Sequence, residues 1–117
     1  MDRQKRNEIF IDSFDNLALE VNEWAHSKGF WEGEGCSNGE KIALLHSELS
    51  EALEAIRNGN PPDDKIPEFL GTEAELADVV IRCMDLARER GWRLSEAIIA
   101  KIDYNYSRPF KHGRKAY

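Results

Sequence analysis

Two pairs of carboxylates stand at helical spacing in this chain: Glu48 with Glu51, and Glu75 with Asp78. Side chains three residues apart on a helix lie about 60° apart and one turn up, so both acids of a pair can reach a single ion. If the two segments are helices packed antiparallel, four carboxylates converge on one volume. Hard oxygen donors of that kind suit Mg²⁺, with Mn²⁺ as a substitute, and Mg²⁺ commonly shares its coordination sphere with substrate phosphates. Further along the chain, Lys101, Asn105 and Arg108 recur at i, i+4 and i+7, a stripe of two cations and an amide suited to phosphate oxygens and a sugar hydroxyl. Lys41 is a further candidate phosphate contact.

Each motif has a purely structural alternative. A Glu-x-x-Glu pair on a helix is usually a solvated face. Glu75 can be the N3 partner of Thr72 in a capping box. On its helix the stripe Glu75, Asp78, Arg82, Asp85, Glu89 is the only polar one and can simply face water. The cations after Lys101 can complement a helix C-terminus. What separates Glu48 and Glu51 from a solvated face is their neighbourhood. At about 100° per residue they share a stripe with Leu44 and Ala55, whereas His46, Ser47, Ser50, Glu54 and Arg57 gather elsewhere.

The elements that must position these residues are helices, because apolar residues recur at helical spacing in four segments and alternate nowhere. The first runs from about Arg6 to Lys28, with Phe10, Phe14, Leu17, Val21 and Trp24 on one stripe and Gly29 as a stop. The second begins at Ser37-Asn38-Gly39-Glu40, buries Ile42, Leu45, Leu49, Ala52, Leu53 and Ile56, and ends before Asn58-Gly59. The third opens with Thr72-Glu73-Ala74-Glu75 and ends at Gly91. The fourth takes Ser95 as N-cap, turns Ile98, Ile102 and Tyr106 to the core, and stops near Pro109. Two connections stand out. Residues 29–38 hold Phe30 and Trp31 among glycines and acids, and residues 59–71 carry Pro61, Pro62 and Pro67, a long link for two helices.

At 117 residues with 41% hydrophobic and 32% charged residues, the chain reads as one globular domain, 1–117. A net charge of −6 argues against non-specific nucleic-acid binding. The charge is unevenly placed: nine acids face only Arg57 and Lys65 between Glu48 and Asp78, while five bases face only Asp103 from Lys101 onward. Cys36 and Cys83 form neither a disulfide framework nor a zinc motif, and Cys83, in an apolar run, reads as a core thiol. The start of the chain, Met1-Asp2-Arg3-Gln4-Lys5-Arg6, lacks the apolar stretch of a signal peptide, and nothing approaches a membrane span. A cytoplasmic location without a membrane partner is the expectation.

His46-Ser47-Glu48-Leu49-Ser50-Glu51-Ala52-Leu53-Glu54, followed by Glu75-Leu76-Ala77-Asp78-Val79-Val80, resembles the paired signature of MazG-like, all-α NTP pyrophosphohydrolases. Lys101-Ile102-Asp103-Tyr104-Asn105-Tyr106-Ser107-Arg108-Pro109 is similar to that family's Lys-x₃-Asn-x₂-Arg stretch, and Lys111-His112-Gly113-Arg114-Lys115 to the ending of its short bacterial and phage members. The resemblance spans Lys41 to Tyr117. It implies a four-helix MazG-like bundle completed by dimerisation, as a homodimer or a dimer-of-dimers tetramer. It further implies Mg²⁺-dependent cleavage of a (deoxy)nucleoside triphosphate between the α and β phosphates, in nucleotide-pool control or house-cleaning. Glu48, Glu51, Glu75 and Asp78 would hold the metal, with Glu48 or Glu51 orienting the attacking water. Lys101, Asn105 and Arg108 would contact phosphates or sugar, and Trp31 the base, although Trp31 can equally pack against the core or a partner subunit. Arg82 departs from the family, some of whose members place an aromatic there. It can read a base or phosphate, or pair with Asp78.

Two rival classes remain. A non-catalytic helical oligomerisation or interaction module would use the acid stripes only for solubility. A di-iron carboxylate bundle would need Glu-x-x-His pairs, and neither acid pair is followed by such a histidine. His26, His46 and His112 share no metal-ligand spacing.

Overall fold

The computed structural model describes residues 1–110. Four helices follow one another: α1 (Arg3–Ser27), α2 (Asn38–Arg57), α3 (Gly71–Arg90) and α4 (Leu94–Tyr106). Among the described residues there is no strand beyond an isolated bridge between Pro62 and Leu70. The stretch Lys111-His112-Gly113-Arg114-Lys115 lies outside the described residues.

Punctuation residues set most boundaries as the sequence predicts. Ser37 caps α2 by accepting from the Glu40 N–H at 3.2 Å. Gly91 ends α3 in the left-handed conformation, φ 71°, while the Trp92 N–H returns to the Ala87 carbonyl at 2.9 Å. Two caps differ from expectation. Helix α3 starts from Leu70, and Glu73, not Glu75, reaches back to the N-cap, accepting from the Leu70 N–H at 2.9 Å. Glu75 is thereby free of capping. Thr72 instead donates its N–H (3.0 Å) and its hydroxyl to the side-chain oxygen of Asn60. Helix α4 is entered through Arg93, without a side-chain cap. Ser95 is its second residue, 1% exposed, and donates its Oγ–H to Asp15 of α1 at 2.7 Å. A hydroxyl buried that deeply needs a partner, and Asp15 supplies one.

Helices α2 and α3 are antiparallel. Arg90 contacts Asn38, Arg82 contacts Glu48, and a Cβ on Gly71 would lie 3.2 Å from that of Ala55, so one number rises as the other falls. The close approach at Gly71 explains why no larger residue sits there. Helix α1 packs on α3 and also carries α4, which runs back along it through Ser95–Asp15 and Arg3–Asp103.

The buried centre is built mainly of small side chains: Ala18, Ala25, Ala52, Ala74 and Ala87, with Met84 and Leu86. This corrects the expected core. Of the stripe on α2 only Ala52 is buried, and Leu49, Leu53 and Ile56 remain 46%, 48% and 56% exposed. Leu76 and Val80 of α3, Leu17 and Trp24 of α1, and Tyr106 of α4 are exposed as well. Cys83 is half-buried, and burial pushes its thiol above the ordinary range. No helix among the described residues is long and apolar enough to cross a membrane.

Candidate metal centre

Antiparallel packing brings the second and third turns of α3 against the middle of α2. Oxygens of Glu48, Glu51 and Glu75 thereby lie within 4.8 Å of one another. Asp78, one turn beyond Glu75, does not join that triad but lines the same cavity, of about 440 Å³. The remaining polar wall comes from the long α2–α3 connection through Asp63, Asp64 and Lys65.

Three carboxylates at this separation cannot all ionise freely. Glu75 is pushed up to about 7, first by desolvation and then by the neighbouring Glu48 and Glu51 carboxylates, which disfavour a further negative charge beside them. Burial and the Glu48 charge raise Asp78 as well, while Arg82 opposes that rise. One oxygen of Glu75, Oε2, is buried without a hydrogen-bond partner. Buried polar atoms in folded proteins are almost always satisfied, so this oxygen is short of a proton donor or a cation.

The polar stripe of α3 is only partly withdrawn from water: Glu75, Asp85 and Glu89 are half-buried, whereas Asp78 and Arg82 are exposed. Asp85 accepts from Asn22 at 2.9 Å and from the Trp31 indole N–H at 3.0 Å, and Glu89 accepts from Asn22 at 3.0 Å and meets His26 at 2.5 Å. The Asn22 hydrogen bond is the main reason that Glu89 lies below the usual carboxylate range. Arg82 pairs with Glu48, its Nε–H donating at 3.0 Å, rather than with Asp78. By contrast His46, Ser47, Ser50, Glu54 and Arg57 are exposed, as the helical phase predicts.

Other candidates lie elsewhere. Besides its bond to Asp85, Trp31 has Lys41 Nζ 4.2 Å and Arg90 5.3 Å from its ring centroid and is stacked on His26 at 6.2 Å. Lys41 also donates to the Phe30 carbonyl at 3.2 Å. This geometry anchors the 28–37 connection and does not place Trp31 in the carboxylate cavity. Lys101 and Asn105 are exposed on α4 and Arg108 is exposed two residues beyond its end, none lines that cavity, and Lys101 lies over the Tyr104 ring at 5.2 Å.

Sequence reasoning missed two contributors. Asp63 folds the connection back on itself by accepting from the Lys65 and Ile66 N–H groups at 2.9 and 3.0 Å, bonds that hold its carboxyl below the usual range. The acid-rich Asp63-Asp64-Lys65 run between prolines was the available signal. Trp24 and Phe30, edge to face at 5.3 Å, line with Val21, Ile81 and Arg82 a second hollow of about 150 Å³ that shares Asp78 and Ile81 with the acidic cavity. Nothing in the spacing of Trp24 and Phe30 pointed there. No protein-family model, curated protein or solved structure matches the chain.

Proposed function

We propose that this chain is a Mg²⁺-dependent nucleoside triphosphate pyrophosphohydrolase of the MazG-like kind, cleaving between the α and β phosphates to give a monophosphate and pyrophosphate. The observation that carries the reading is the partnerless buried oxygen of Glu75 beside Glu48 and Glu51. The donor set is all hard oxygen, on two helices that fix its spacing, and its repulsion is relieved by a small divalent cation. Glu48, Glu51 and Glu75 would hold that ion, with Asp78 at the cavity wall for a second ion or a bridging water. When bound, Mg²⁺ supplies Lewis acidity toward phosphate oxygens and water.

The chain's own residues do the rest. Glu51 is exposed and free of ion pairs among the described residues, so it can orient and deprotonate the attacking water, whereas Glu48 is held by Arg82. Lys65 is the cation lining the cavity and faces the triphosphate tail. The hollow between Val21, Trp24, Phe30 and Ile81 offers the base an aromatic, apolar seat beside Asp78. The exposed leucines and isoleucine of α2, with Leu76 and Val80, form the surface on which a second copy would complete the bundle.

The deciding experiment is incubation with MgCl₂ and a panel of NTPs and dNTPs, with products identified by ³¹P NMR. Pyrophosphate is the expected product. Orthophosphate, or no turnover anywhere in the panel, overturns the reading and favours a non-catalytic helical module.

A further inference from the structure

Arg82 makes the only ion pair to the carboxylate triad among the described residues, and the pair is lopsided. The Glu48 side chain is 13% exposed, while that of Arg82 is 43% exposed on a long flexible stem. The guanidinium meets Glu48 from the seam between α2 and α3, one turn after Asp78, whose carboxyl its charge also lowers. It satisfies one acid of three and leaves Glu75 Oε2 without a partner. It therefore does part of what a cation inside the triad would do, from the rim and within reach of solvent.

We infer that Arg82 is an internal counter-cation: it neutralises Glu48 while the site is free of metal, competes with the incoming divalent ion for that carboxylate, and swings outward when the ion binds. The inference rests on the reading of the triad as a divalent-cation site. Its physical basis is that a guanidinium and a divalent ion on one partly buried carboxylate repel each other strongly, and the guanidinium is the one whose stem can reach water. The opposite role is familiar in metal sites, where an outer partner orients a ligand and raises affinity. The two roles predict opposite signs, so Arg82 is a positioning residue whose action can be read from metal binding alone.

The test is calorimetric titration of MgCl₂ into the full-length protein at low ionic strength, for wild type, Arg82→Met and Arg82→Gln. With one positive charge removed beside the ion, Arg82→Met should bind Mg²⁺ about tenfold tighter, and the gain should shrink as salt is added. The same variant should melt below wild type in EDTA and gain more from Mg²⁺. In a Glu48→Gln background, Arg82→Met should bring no gain. Unchanged or weaker binding by a folded Arg82→Met protein overturns the inference and leaves the metal site standing. Absence of Mg²⁺ binding by wild type overturns both. A measurement on wild type guards against a variant that fails to fold. The Arg82 Nε–H resonance, hydrogen-bonded in EDTA, should move to the position of a solvent-exposed arginine as MgCl₂ saturates the site, and a resonance that stays in place overturns the inference.

Discussion

At the scale of single residues, the decisive contrast is between acids that look alike in sequence. Glu48 and Glu54 are both helical glutamates beside a leucine, yet Glu48 faces the triad whereas Glu54 is exposed and paired only loosely with Arg57 at 3.8 Å. Glu48→Ala or Asp78→Ala should remove detectable pyrophosphate release, whereas Glu54→Ala should stay within about twofold of wild type, as expected for an exposed ion pair. A Glu54→Ala protein as damaged as Glu48→Ala would show that the helical phase of α2 does not define the site. Glu75 gives a pH signature. Its carboxyl lies at about 7 in the folded chain against an ordinary 4.5, so between these values the folded state holds a proton that the unfolded chain has lost. Metal-free stability should therefore fall as pH rises through that window and be lowest above it, because the folded state binds more protons than the unfolded. Glu75→Gln should flatten that part of the melting profile in EDTA. An unchanged slope in the variant would mean that Glu75 does not carry the proton.

At the scale of elements, residues 58–70 decide whether the acidic cavity has a fourth wall. Asn60 sits at φ 52° in the left-handed region and its side-chain oxygen accepts both donors of Thr72, tying the loop to the first turn of α3. Asn60→Ala loses those bonds and places a less tolerant residue at positive φ, which together should lower stability by about 1–3 kcal/mol. Asn60→Gly loses the bonds without the backbone strain and should be milder. Equal melting points for all three proteins would mean that the loop is held by its backbone bridge alone. The helices themselves were legible in the sequence because Ser37, Asn58-Gly59 and Gly91 act locally, through caps and left-handed turns. The Glu48–Glu51 pair was legible for the same reason, since helical phase is a local property. The Asn60–Thr72, Ser95–Asp15 and Trp31–Asp85 bonds were not, because each joins residues that only the tertiary packing brings together. Thr72 and Ser95 looked like caps for that reason: a hydroxyl near a helix start satisfies the pattern whether it bonds locally or across the fold. The 59–71 connection stood out in the sequence, but the part of Asp63 in the cavity wall was not legible because Asp63 acts through a turn of its own backbone.

At the scale of the whole molecule, the thin core is the dominant fact. Alanines let α2 and α3 approach closely, but they bury little apolar surface, while Leu49, Leu53, Ile56, Leu76 and Val80 stay largely in water. Covering a half-exposed leucine or isoleucine contributes roughly 1 kcal/mol at the usual area coefficient, so five such side chains on each of two copies favour association strongly. If that face is complementary to itself, it closes most simply as a two-fold dimer. Light scattering behind size exclusion should give twice the 13.4 kDa chain mass or a multiple of it. Leu53→Lys combined with Val80→Lys should shift the protein to monomer and lower its melting point. A wild type that remains monomeric at micromolar concentration would show that the apolar face serves something other than a second copy. The proposed dimer also bears on Lys101 and Asn105 of α4 and on Arg108 just past its end, all exposed and absent from the carboxylate cavity of their own chain. If α4 of one copy lends these cations to the triad of the other, inactive Glu48→Gln and inactive Lys101→Ala proteins should complement when unfolded and refolded together. Random pairing makes half the dimers mixed, each with one intact site, so about a quarter of wild-type turnover should return. If no activity returns from a mixture whose mixed dimers are demonstrated by mass, the stripe on α4 does not act across the interface.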